Sequence, residues 1–234
     1  MSIWRPLTCH VLGRGLSEDI LSRIAKVAPS ARVYLYDLSS VDYGAVRLLD
    51  HVAISTMDRL FFPEILHDTA RLLYLDVDVM ARSDVGELHD LALGDTVIAG
   101  RCSAAPDYNT GWALLAKKLV RHDRETSRKL ILWAFSQGRV QFDTLNAGVL
   151  VMNLDALRRD AFTAKTLSMV EAFGFHDQDA INFYLRGAFT ALPTEWNYVP
   201  DQDFCPDPKL VHWAGARKPW KTQFTAFRTE YRKL

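Results

Sequence analysis

The sequence has little cysteine, no long apolar run and no excess of charge of either sign. Cys9, Cys102 and Cys205 are the only cysteines among 234 residues. They are widely spaced and odd in number, so neither a disulfide framework nor a cysteine-based metal knuckle is expected, and a reducing compartment suits them. Nowhere do about eighteen apolar residues run together, and the N-terminus MSIWRPLTCHVLGRG lacks a basic stretch followed by an apolar core. A membrane span and an export signal are therefore not expected, which makes the cytoplasm the expected location. The 28 lysines and arginines balance 28 acids, with both signs mixed along the chain, which argues against nucleic acid as a partner. Internal repeats, linkers and low-complexity tracts are also missing. What is present is a 49% hydrophobic chain. That is enough for one substantial core and too short for two comfortable domains.

Strand and helix patterns alternate along this chain. Leu7 to Leu12 reads as a strand, and Ser17 can cap a helix with Ile20, Leu21, Ile24 and Val27 on one face, closed by Pro29. RVYLYDL gives a second strand, VAIS at 52–55 a third, and MDRLFF a short helix before Pro63. RLLYLDVDVM, at 71–80, is nearly continuous apolar sequence, the pattern of a strand covered on both faces. DVGELHDLA then suggests a short helix, TVIAG and LNAGVLVMNL two more strands, and Asp155 to Phe173 a single helix. The alternation predicts one α/β domain with a mostly parallel, Rossmann-like central sheet, whose ligands gather beyond the carboxyl ends of the strands.

Two acids interrupt the most apolar strand. Asp76 and Asp78 are two residues apart, so in extended chain their side chains leave the same face, held rigidly by the strand before them. Such a pair attracts a hard cation, and an added imidazole shifts the preference toward manganese; His212 can supply one. A solvated turn is the plainer reading of any short Asp-X-Asp, and the buried strand in front of it argues for the metal. Asn146, Ala147 and Gly148 open another apolar strand, where an amide can bond a sugar hydroxyl and glycine lets backbone approach a ligand; a bare turn is the alternative. In HDQDAIN, Asp177 can cap a helix that ends near Gly187. Capping does not explain Gln178 and Asp179 beside it, and a polar cluster at a helix start is well placed for a polar substrate. HWAGARKPW joins an imidazole, a flexible glycine, a lysine and two tryptophans, a set able to clamp phosphates and metal, although Lys218 taken alone would be an ordinary surface lysine.

YLDVDVM, LNAGVLVMNL, HDQDAIN, LPTEWNYVP and HWAGARKPW occur in an order that resembles glycosyltransferase family 8, over about Leu7 to Trp220. The resemblance implies a GT-A type domain and a retaining transferase that moves a hexose from a UDP-sugar to a saccharide or glycolipid acceptor. It implies metal ligation by Asp76, Asp78 and His212, with manganese as the usual ion and magnesium a second choice. Gly215 and Lys218 would contact the donor diphosphate, Arg59 would reach the donor, and Asn146, Asp177 and Gln178 would line the sugar site. Gln178 matches the family's near-anomeric position, and Asp177 stands beside it as the other catalytic candidate. An amide is a poor nucleophile, so front-face departure and attack are expected in place of a covalent glycosyl intermediate. Compared with the family, this chain starts after the strand and loop that hold uracil and ribose. The nucleotide pocket is thus expected to be incomplete, and a start upstream of Met1 is expected. At AGRCSAAPD, where relatives place an acid on the sugar, the nearest equivalent is Ser103.

The transferase domain is expected over 1–218 and a basic, aromatic C-terminal helix over 219–234. Trp220, Phe224, Phe227 and Tyr231 fall on one helical face among Lys221, Arg228, Arg232 and Lys233. This face could rest peripherally on the inner face of a membrane, or simply pack on the domain. Two rival functions remain. A haloacid dehalogenase-like phosphatase shares the strand-Asp-X-Asp pattern but carries it on its first core strand, followed by a second acidic motif missing here. A degenerate relative that only binds glycan or a partner is the other rival, weakened by retention of Asp76, Asp78, His212 and Lys218.

Overall fold

In the computed structural model, residues 7–27, 30–41, 54–106, 108–200, 202–221 and 225–233 are described. The chain opens with a parallel strand pair, β1 (Thr8–Gly13) and β2 (Arg32–Asp37), joined by helix α1 (Glu18–Val27). A parallel pair needs such a crossover, and the helix supplies it. A 3-10 helix over Ile54–Phe61 continues into α2 (Phe62–Ile65), with Pro63 in the first turn where its missing N–H has no bond to lose. Ile54 and Ser55, the end of the third expected strand, belong to this helix, while 52 and 53 lie outside the described residues.

The apolar run at 71–80 forms two strands in place of one. β3 (Arg71–Leu75) stops at Asp76, the chain turns through Val77 and Asp78, and β4 (Val79–Ala81) sets off in a different sheet. After α3 (Gly86–His89), β5 (Ile98–Cys102), α4 (Gly111–Leu119) and α5 (Arg124–Ser136) comes the longest strand, β6 (Leu145–Asn153). Asn153 then caps α6 (Leu154–Arg159) by accepting the Ala156 N–H at 3.0 Å. The helix expected over 155–173 is divided, because Ala161 takes a left-handed backbone (φ 53°) before α7 (Phe162–Phe173). That turn re-aims the second half so that Phe162 is wholly buried. Helix α8 (Asp177–Leu185), β7 (Thr190–Ala191), β8 (Leu210–His212) and a one-turn helix, α9 (Arg228–Tyr231), complete the chain.

A four-stranded sheet has the order β3-β6-β5-β7, and β4 pairs with β8. Pairing is mixed. β1–β2 and β5–β7 are parallel, whereas β6 runs antiparallel to both β3 and β5. An apolar run buried on both faces looks the same whichever way its neighbours point, so the sequence pattern does not carry this direction. Val149, Leu150, Val151 and Met152 of β6 are fully buried. Each contributes on the order of 1.5–3 kcal/mol of hydrophobic stabilisation. Antiparallel pairing of Leu75 with Val149 sets the start of β6 beside the end of β3, which is what assembles the site described next.

The segment expected as a helix over 219–234 differs. Phe224 lies outside the described residues, residues 219–221 and 226–227 are turns, and Phe227 has φ 60°, a conformation no continuous α-helix tolerates. Two of its aromatic rings face the domain, Phe227 meeting Tyr198 edge-on at 5.9 Å and Tyr231 meeting Trp213 at 5.5 Å, while Trp220 is 45% exposed.

Candidate functional site

At the turn between β3 and β4 each aspartate divides its oxygens between two tasks. Asp76 Oδ1 accepts from Arg59 Nη2 at 2.8 Å and from the Tyr74 hydroxyl, and Asp78 Oδ2 accepts from Lys218 Nζ. The remaining oxygens, Asp76 Oδ2 and Asp78 Oδ1, face His212 Nε2 at 3.6 and 3.4 Å. His212 arrives because β8 pairs with β4, opposite Val79. Burial alone would raise the Asp78 carboxyl, but hydrogen bonding and charge from His212 and Lys218 outweigh it and push it down to about 2. One imidazole nitrogen and two carboxylate oxygens thus lie within 4.8 Å of one another. This donor set is one that could hold a divalent metal ion. The space between them depends on Gly148, where a Cβ would stand 2.1 Å from His212 Cε1 and 2.8 Å from Asp76 Oδ2.

Arg59 is buried and fastened on several sides. It donates to Thr56 O (3.0 Å), Ala147 O (2.6 Å) and Asp76, pairs with Asp177 Oδ2 at 3.0 Å, and its guanidinium lies over the Tyr74 ring at 4.6 Å. It therefore braces the aspartate turn against α8. Asp177 is the first residue of α8, and the cap is His176, whose N–H bonds Asp179 Oδ2 at 3.2 Å in a capping box. The capping expected of Asp177 passes to its neighbours, since Asp177 is turned to Arg59. Burial holds the Asp177 carboxyl above its ordinary range, and Arg59 opposes that rise. Gln178 Oε1 accepts from Ala147 N at 3.1 Å, which ties the helix start to β6. Asp179 makes a buried ion pair with Lys118 of α4 at 2.6 Å.

Sequence-predicted residues thus converge from distant segments: Asp76 and Asp78 from the turn, Asn146 from β6, Asp177 and Gln178 from α8, His212 and Lys218 from β8 and the loop after it. Gly215, in that loop, has φ 89°, which favours glycine. Ser103, just past β5, uses its N–H on Thr144 O at 2.8 Å. Beside Asp76 and Arg59 a cavity of about 310 Å³ runs between β1, at His10 to Leu12, and β3.

The family model for Glycosyl transferase family 8 matches residues 8–223. The chain belongs to glycosyl transferase family 8. It is 24% identical to the Lipopolysaccharide 1,2-glucosyltransferase of Escherichia coli (strain K12), over 92% of this chain and 64% of that protein. The chain thus spans slightly less than two thirds of that relative. It is 21% identical to General stress protein A of Bacillus subtilis (strain 168), over 97% of this chain and 81% of the relative. Among solved structures, the galactosyltransferase LgtC in complex with donor and acceptor sugar analogs superposes with TM-score 0.71 at 23% identity, covering 96% of this chain and 82% of the other. That likeness establishes the GT-A type fold. The phosphatase alternative loses its footing, because the whole-length match is to transferases. No helix among the described residues is long and apolar enough to cross a membrane.

Three side chains of this family 8 site went unnoticed in the sequence. Tyr74 lies inside the apolar run and gives no polar signal there, yet its hydroxyl reaches Asp76. Asn182, in HDQDAIN, accepts the Leu145 N–H at 2.8 Å and donates to Leu145 O at 2.9 Å, so its amide pairs with β6 as a neighbouring strand would. Asn197, in TEWNYVP, has no exposure and joins His212 to Asn146.

Proposed function

We propose that this chain is a metal-assisted, retaining hexosyltransferase that moves a hexose from a UDP-sugar to a saccharide or glycolipid acceptor. The observation that carries the reading is the placement of the Asp76, Asp78 and His212 ligand set next to Asn146, Asp177 and Gln178 at one end of the sheet. Asp76, Asp78 and His212 would hold the ion, manganese first and magnesium second, which when bound stabilises negative charge on a leaving diphosphate. Lys218, already at Asp78, adds a positive charge on the same side, and the Gly215 loop brings backbone close. The cavity between β1 and β3 is of a size to take part of the nucleotide.

Asn146, Asp177 and Gln178 would line the hexose. Neither catalytic candidate is set up as a nucleophile: Asp177 is buried against Arg59, and the amide oxygen of Gln178 is held by Ala147 N–H. Front-face departure and attack is therefore favoured over a covalent glycosyl enzyme. Isolation of a glycosylated Gln178 or Asp177 from trapped enzyme would overturn that preference.

Calorimetric titration of UDP with and without Mn²⁺, repeated on Asp78→Ala, tests the reading. Mn²⁺-dependent binding lost in the variant supports it; no binding by folded protein defeats it. Binding without any transfer or hydrolysis of UDP-glucose or UDP-galactose would instead support a non-catalytic, glycan- or partner-binding relative. We place the enzyme in the cytoplasm. The inward packing of Phe227 and Tyr231 supports a structural role for the C-terminal stripe over peripheral membrane contact. Co-sedimentation with anionic liposomes, absent in a Trp220→Ala variant, would reverse that choice.

A further inference from the structure

Asn197 stands outside the ligand set, yet the hydrogen bonds around it determine the state of His212. The Gly148 N–H can only donate, and it lies 3.0 Å from Asn146 Oδ1, so that Asn146 atom must be the oxygen. The same oxygen lies 3.0 Å from the Asn197 side chain, which must therefore offer its NH₂ there. Asn197 is left with its oxygen toward His212 Nδ1, at 2.8 Å, and an oxygen requires a donor. His212 must then carry a proton on Nδ1. With that proton fixed, Nε2 is the nitrogen that faces Asp76 Oδ2 and Asp78 Oδ1, donating to them while it holds a proton and offering its lone pair to a cation once that proton leaves. One backbone N–H fixes three side chains in sequence.

The lever is held firmly. Asn197 has no exposure, its carbonyl accepts Arg101 Nη1 at 3.1 Å, and Arg101 is locked by a buried ion pair to Asp203 at 2.6 Å. The next residue joins one edge of β8 through both of its backbone groups: Tyr198 N donates to Leu210 O at 3.0 Å, and His212 N donates to Tyr198 O at 2.8 Å. We propose that Asn197 is a positioning residue that sets His212 in the Nδ1–H form with Nε2 presented to the cation, and that couples this choice to Asn146. The inference rests on the metal reading above for its purpose and on the hydrogen-bond chain for its substance. A corollary concerns Asn146: its oxygen is spent on Gly148 and Asn197, so toward a sugar it has only N–H to donate.

Long-range ¹H–¹⁵N correlation of histidine-labelled, metal-free protein at mildly alkaline pH reads the tautomer directly, with His212→Gln identifying the signal. Free-ion EPR during Mn²⁺ titration reads affinity. Wild type should show Nδ1–H at His212. Asn197→Ala should lose that preference and bind Mn²⁺ about 10- to 100-fold more weakly. Asn197→Asp, which still offers Nδ1 an acceptor, should keep both the tautomer and the affinity within a few fold. A neutral His212 protonated on Nε2 in the wild type overturns the proposal and needs no variant to fold. So does a folded Asn197→Ala with unchanged Mn²⁺ affinity. Wild type that shows Nδ1–H but binds no Mn²⁺ supports the hydrogen-bond chain while sinking the metal reading, so the two fail separately.

Discussion

Replacing Gly148 by alanine adds one methyl at the tightest point of the site. The new Cβ would meet His212 Cε1 at 2.1 Å, Asp76 Oδ2 at 2.8 Å and His212 Nδ1 at 2.8 Å. Ordinary carbon contact begins near 3.5 Å, so something must move by about 1.4 Å. The imidazole is 2% exposed and pinned by Asn197, and the backbone of residue 148 bonds Asp76 N through its own carbonyl at 2.8 Å. Neither side can yield without separating Asp76 from His212, and a metal held by such a set would tolerate only about 0.2 Å in its ligand distances. The expected result is a loss of Mn²⁺ affinity of at least about 10- to 100-fold, about 1.4–2.7 kcal/mol, on top of an overpacking cost of about 1–3 kcal/mol in stability. Calorimetric Mn²⁺ titration measures the first, and denaturant unfolding the second. In a double-mutant cycle, His212→Ala should relieve most of the stability cost of Gly148→Ala, because it removes the atoms that clash. Gly148→Ala with Mn²⁺ affinity within twofold of wild type would refute the reasoning, as would full additivity in the cycle.

Other substitutions probe the frame around the site. Asn182→Ala leaves the buried Leu145 N–H and C=O without their partner, which should cost about 1–3 kcal/mol for each group and loosen the start of β6, seen as faster amide exchange at Leu145. Lys118→Met breaks the buried pair with Asp179 and strands a carboxylate, so a loss of about 3–5 kcal/mol is expected by urea unfolding, largely restored in Lys118→Met/Asp179→Leu. Asp123 caps α5, and backbone hydrogen bonding from Thr126 leads the causes that hold its carboxyl below the ordinary value. A depressed carboxylate stabilises the fold above its unfolded pKa and loses that contribution as pH falls through its folded one. The melting-temperature gap between wild type and Asp123→Ala should therefore be steady near neutrality and narrow below about pH 4.

What could be read in advance was whatever burial makes conspicuous. Asp76 and Asp78 stood out because two acids ended a strand otherwise built for the core, and the structure sets both at that end. The spacing did not reveal that the strand breaks there and changes sheets, since Val77 is apolar and nearly fully exposed at 98%, which hides the turn inside the run. His212 and Lys218 were picked out through the order of the motifs more than through their own surroundings, and both reach Asp78. Asn197 could not be found, because an asparagine between a tryptophan and a tyrosine carries no periodic or charge signal. Its meaning lies in partners fifteen residues ahead and fifty-one behind. The C-terminal stripe had the spacing of a helix, yet Trp220 and Phe227 lie in turns and only Arg228–Tyr231 is helical among the described residues, a case of tertiary packing overriding local pattern.

The register of β6 against β3 is also the alignment of the ligand cradle. Residues of a strand alternate between faces, so a slip of one position would carry Gly148 away from His212 and put a side chain in its place. Only the correctly registered sheet would bring Asp76, Asp78 and His212 together as a seat for a cation. Mn²⁺ would then act as an inspector of the finished fold, stabilising that pairing by mass action and leaving every misaligned one to unfold again.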